Sequence, residues 1–126
     1  MTIHHKNLET LAAPFKAVLF DVWGVLWDGK TLYGGVQEAL AGLHASAKKI
    51  AIVTNTTQLA QEVEEQYIPR GLIKGQHYDT IVTAGDISRR RLLSGKFNQV
   101  SLPSAKTTTY AVLGKSNPTL FAGTDM

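Results

Sequence analysis

Cysteine is absent from the 126 residues, which excludes a disulfide frame, a thiolate nucleophile and cysteine-ligated metal chemistry. That absence suits a reducing compartment, and a cytoplasmic chain is expected. No window approaches the roughly 18 apolar residues of a membrane span, and Met1 to Pro14 lacks the long apolar core of a signal peptide. Charge of one sign is scarce as well: 13 Lys and Arg stand against 10 Asp and Glu, for a formal +3. The only dense basic run is Arg89, Arg90 and Arg91, too little for a nucleic-acid footprint, which needs a stripe of cations with interleaved aromatics. A solvated helix face accounts for it, with a weak anion patch as the alternative. His4, His5, His44 and His77 show no metal-site spacing. Nucleophile elbow, Walker loop and dinucleotide fingerprint are missing, and Gly34-Gly35 alone does not make a phosphate cradle.

What is present is an ordinary globular composition, 44% apolar, at the length of one domain. Residues 15 to 22, FKAVLFDV, form an apolar run rich in β-formers that ends on Asp21 and then Gly24. They predict a buried, interior strand. The glycines at 24, 29, 34 and 35 punctuate the following WGVLWDGKTLYGG as a looped excursion, where functional residues are expected. Trp27 and Tyr33 in that loop are read as packing residues, with pocket lining as the alternative.

Val36, Leu40, Leu43 and Ala47 recur at helical spacing and predict a helix over residues 36–49, with Lys48 and Lys49 at its C-terminal end. A second strand follows at 50–53, closed by Thr54-Asn55-Thr56-Thr57, side chains suited to capping a helix over 58–67. Pro69 and Gly71 end that helix. A third strand at 80–82 leads to Asp86, placed as the cap of a helix running to Leu93, and 107–113 makes a fourth β-like run. Strands alternating with helices predict a Rossmann-like α/β fold, a parallel sheet with flanking helices, in which ligands gather at the carboxyl ends of the strands. Asp21, Thr54 and Asp86 each follow a strand, so three turns would converge on one sheet edge, although Thr54 and Asp86 also read as simple helix caps.

An acidic residue at the tip of a buried strand can attack phosphorus, forming an ester that water later hydrolyses, and can ligate Mg²⁺. By itself such an Asp is a common turn former. The string FDVWGVLWDG, followed one βα unit later by IVTNTT, resembles the first two motifs of the haloacid dehalogenase superfamily. More narrowly it resembles the branch of nitrophenylphosphatase-like and nucleotide or sugar phosphate phosphatases, in which a large cap follows the second motif. TIVTAGDISRRRLL and YAVLGKSNPTLFAG look like that branch's third strand and helix and its approach to the cap.

The resemblance implies residues 1–14 as an N-terminal arm and 15–126 as the front portion of a haloacid dehalogenase-like core, without its cap. It implies Asp21 as nucleophile and Mg²⁺ ligand, and Thr54 as the hydroxyl on the transferring phosphoryl group. Asn55, Gly24 and Trp23 would line the substrate loop, with the Trp23 carbonyl on the metal, and a small phosphorylated compound would be the substrate. Two departures stand out. The family's second Asp, its general acid and base, is replaced by Trp23, and indole cannot do that work. Asp28, the nearest carboxylate, lies in a different part of the loop. The family's later Lys and acidic ligands are also without counterparts, since Lys106, Lys115 and Asp125 have the wrong context and the sequence ends at Met126, about where the cap would begin. Mg²⁺ affinity is therefore expected to be poor and turnover weak or absent. The alternative expectation is a truncated, non-catalytic domain that pairs with a second copy or a partner chain through an exposed sheet edge.

Overall fold

The computed structural model describes residues 7–94, 96–97, 100–101 and 118–123. His4, His5, the β-like run at 107–113, Lys106, Lys115 and Asp125 lie outside them. The chain forms two compact units, one from residues 1–54 and 64–81, the other from 55–63 and 82–126; the division falls inside the expected 15–126 core.

In the first unit, helix α1 (Leu8–Ala12) occupies part of the expected arm; its cap is Asn7, whose Oδ1 accepts the Glu9 and Thr10 N–H groups, and Ala12 turns inward. Strand β1 (Ala17–Phe20) pairs in parallel with β2 (Lys49–Thr54), in the register Val18 to Ile50 and Phe20 to Ile52. Between them runs α2 (Val36–Ala45), burying Val36, Leu40 and Leu43 as the spacing predicts. It stops short of residue 49 because Ala47 turns left-handed at φ 58° and Lys48 N–H reaches back to Leu43 O at 3.1 Å. Lys48 and Lys49 are thus not helical. Lys48 Nζ instead donates to Ala13 O (2.9 Å) and Phe15 O (2.7 Å), tying the chain before β1 to the chain before β2.

The sheet order is β1-β2-β3, with β3 at Thr80–Thr83, the Rossmann-type parallel arrangement that alternation predicts. Its centre, β2, is the buried strand: Ile50, Ile52 and Thr54 alternate inward at 1%, 0% and 6% exposure. The expectation for β1 is corrected here. It is a margin strand, and Leu19 on it is 71% exposed, because no described strand pairs its outer edge and no described element covers that face. Asp79, just before β3, holds the sheet's lower end: its Oδ2 accepts Ile50 N–H at 2.7 Å, and its Oδ1 faces Lys49 Nζ at 3.1 Å and His44 Nε2 at 3.6 Å.

Helix α3 (Ala60–Tyr67) begins in the second unit and ends in the first, continuing as a short 3₁₀ turn through Ile68–Arg70. Within the second unit, α4 (Ala84–Leu93) is capped by Thr83, not by Asp86: Thr83 Oγ1 accepts Asp86 N–H at 3.0 Å. The Asp86 carboxylate accepts Ala60 N–H at 2.8 Å and so caps α3 from outside it. Gly85 permits this approach, since a Cβ there would stand 2.3 Å from Thr57 O. Arg89 is not merely solvated; its Nη1 donates to the Thr119, Leu120 and Ala122 carbonyls at the end of α5 (Pro118–Phe121). Lys96–Phe97 and Val100–Ser101 form a separate antiparallel pair, β4 and β5. Among the described residues no helix is long and apolar enough to cross a membrane.

Candidate functional site

Parallel register decides which strand ends meet. Phe20 pairs with Ile52, so Asp21 and Thr54 stand one and two residues beyond the last pair, at the carboxyl ends of neighbouring strands in the first unit. Asp21 is exposed, and its Oδ1 accepts the Val22 N–H at 2.8 Å. Thr54 is buried. Asn55 is exposed and opens the second unit. Asp86, the third residue expected at this edge, is occupied as a helix cap in that same unit.

The loop after Asp21 is a closed turn built on one carbonyl. Val22 O accepts the N–H groups of Val25 (3.3 Å), Leu26 (2.9 Å) and Trp27 (3.1 Å), while Gly24 N–H donates to Trp27 O at 2.9 Å. Gly24 sits at φ 75°, a left-handed conformation that favours glycine. Leu26 and Trp27 turn into the core, whereas Trp23 is 60% exposed, its ring laid against Gly29. A Cβ at position 29 would stand 2.9 Å from Trp23 Cζ3.

Asp28 has a structural task. Its Oδ1 accepts the N–H groups of Lys30 and Thr31, each at 2.7 Å, and these two bonds, Thr31 foremost, hold its carboxyl below the usual aspartate value. A carboxylate kept ionised as a turn acceptor is a poor general acid, so it does not replace the missing Asp.

Two residues near this loop, Arg70 and Tyr67, escaped sequence reasoning. Arg70 places its guanidinium carbon 4.2 Å from the centre of the Trp27 ring. Tyr67 is buried; desolvation pushes its hydroxyl up, the Arg70 charge pulls it down, and the Asp21 charge pushes it up again. Tyr33, read as packing with pocket lining as the alternative, is 44% exposed and with Lys30 and Arg70 lines a cavity of about 390 Å³, as the alternative has it. Tyr67 and Arg70 lie one helix downstream of β2, and no local pattern links them to Asp21; only folding does. His77 is a satisfied core histidine whose Nδ1 accepts Ile73 N–H at 3.0 Å.

For Mg²⁺ the exposed carboxylate that follows β1 is Asp21, and the described residues hold no cluster of three or more His, Cys, Asp or Glu side chains. That donor set fits an ion that keeps several waters and takes one or two carboxylates plus substrate phosphate, and does not fit an all-protein cage.

Comparison with known proteins adds to this geometry. A profile described as haloacid dehalogenase-like hydrolase matches residues 18–117. Glycerol-3-phosphate phosphatase of Homo sapiens is 41% identical over 52 residues, which is 41% of this chain and 16% of that protein. The Rattus norvegicus protein of the same name is 36% identical over the same length. A crystal structure of a haloacid dehalogenase-like hydrolase from Brucella suis 1330 superposes with a TM-score of 0.65 at 31% identity, covering 73% of this chain and 34% of that one. The chain thus spans about a sixth of the curated relatives it matches.

Proposed function

Because this chain belongs to the haloacid dehalogenase-like hydrolases, we propose that it acts on a phosphate monoester through Asp21. The observation that carries the proposal is the placement of an exposed carboxylate beyond β1, beside the carboxyl end of β2 and its terminal Thr54. One Asp21 oxygen attacks phosphorus, the P–O bond to the leaving group breaks, and water then hydrolyses the aspartyl phosphate. Thr54 and Asn55 bind the phosphoryl oxygens, and Gly24 and Trp23 belong to the substrate loop.

Asp21 and the Trp23 carbonyl are the groups that would hold Mg²⁺. When bound, the ion neutralises phosphate charge and clamps the transferring oxygens. A reducing cytosol, with which a cysteine-free sequence is compatible, is the proposed compartment.

Trp23 shapes the reaction by what it cannot do. With indole in place of the second Asp, no side chain at that position protonates the departing oxygen, a contribution worth about 10² to 10⁴ in rate. Turnover is therefore slow and depends steeply on the leaving group. Aryl phosphates, whose phenolates leave without a proton, are hydrolysed faster than alkyl phosphates. The test compares p-nitrophenyl phosphate hydrolysis by the wild type and Asp21→Asn, each with and without Mg²⁺. A magnesium-dependent rate that disappears in Asp21→Asn is expected; equal background rates from both proteins would remove the enzymatic reading.

A further inference from the structure

The cavity beside the loop has its own chemistry. It is lined by Lys30, Tyr33, Gln37, Glu38 and Arg70 among others, all in the first unit, and its volume of about 390 Å³ lies within the range of small-molecule sites. Two cations and one carboxylate leave it a net positive charge. Arg70 is held in place twice, by the Trp27 ring under its guanidinium and by its Nη1 donation to Gln66 O. A guanidinium ordered in this way loses little freedom when it binds an anion. Gln37 is already committed, its Nε2 donating to Gly71 O at 2.9 Å, while Lys30 has no acidic partner among the described residues. Trp27, the ring on which Arg70 lies, belongs to the turn that directly follows Asp21. The groove therefore borders the loop that leaves the proposed nucleophile.

We infer that this groove selects phosphate monoesters whose leaving group carries its own negative charge, with Arg70 as the main contact and Lys30 as the second. The inference rests on Asp21 as the phosphoryl end of the site. Glu38 in the same lining opposes a second extra charge, so a single carboxylate is the fitting group.

A matched pair of non-hydrolysable ligands tests it, para-carboxybenzyl phosphonate and its neutral carboxamide, titrated calorimetrically into the full chain with Mg²⁺. Wild type is expected to favour the carboxylate about three- to fivefold, in keeping with an exposed ion pair, and the preference fades as salt is raised. Arg70→Met keeps the cover on Trp27, abolishes the preference and leaves carboxamide binding unchanged, whereas Arg70→Lys retains part of it. Equal affinity of wild type for the two ligands, no binding of either, or a preference that survives in Arg70→Met overturns the inference. Failure of the nucleophile reading is seen separately, in p-nitrophenyl phosphate turnover that is indifferent to Asp21→Asn.

Discussion

At position 24 the backbone stands at φ 75°, and a Cβ added there would meet nothing within 4 Å. The cost of Gly24→Ala is thus conformational and not steric, about 1–2 kcal/mol for forcing an L-residue into the left-handed region. A urea titration should show the unfolding free energy falling by that amount, seen as a lower midpoint with an unchanged slope; a neutral effect would mean that the turn carries no strain. The same loop separates what residues reveal from what they conceal. Asp21 was legible as a carboxylate ending an apolar run. The roles of Asp28 and Trp23 were not, because hydrogen bonding to Lys30 and Thr31 and stacking on Gly29 depend on how the turn closes.

Elements are joined here by single carboxylates. Asp79 accepts the first buried N–H of β2 and faces Lys49, and these contacts, the Ile50 N–H foremost, lower its pKa from the ordinary value of 3.8. The depressed group stabilises the fold fully above the ordinary aspartate value, and that contribution is lost as pH falls through the lower folded-state value. Asp79→Asn should accordingly be less stable than wild type near neutral pH and draw closer to it as the solution is acidified below the ordinary aspartate value, measured as urea midpoints across that range. A constant gap across that range would show that charge is not the cause. Asp86 has an analogous place between α3 and α4 in the second unit. Losing its cap on α3 in Asp86→Ala should cost about 1 kcal/mol of thermal or urea stability, and no loss would mean that another group takes over the Ala60 N–H. Sequence placed these helices to within a few residues; it put the cap one element out because Thr83 and Asp86 are both good cap formers and only packing assigns each a target.

Across the whole molecule the exposed first strand has a physical consequence. Among the described residues no strand pairs the outer edge of β1, where Leu19 is 71% and nearby Phe15 57% exposed, and such edges template pairing with other chains. Sedimentation over a wide concentration range should show self-association that Leu19→Lys suppresses; a monomer at every concentration would remove the expectation. The strand, helix, strand order and the place of Asp21 after the first strand followed from periodicity and composition alone, since apolar runs and helical spacing are local properties of a chain. Which strand lies at the margin, and how Lys30, Tyr33 and Arg70 come to share one groove, was decided by tertiary structure. Edge status depends on what pairs from afar, and a site drawn from residues 30 to 70 exists only once β2 has been threaded between them.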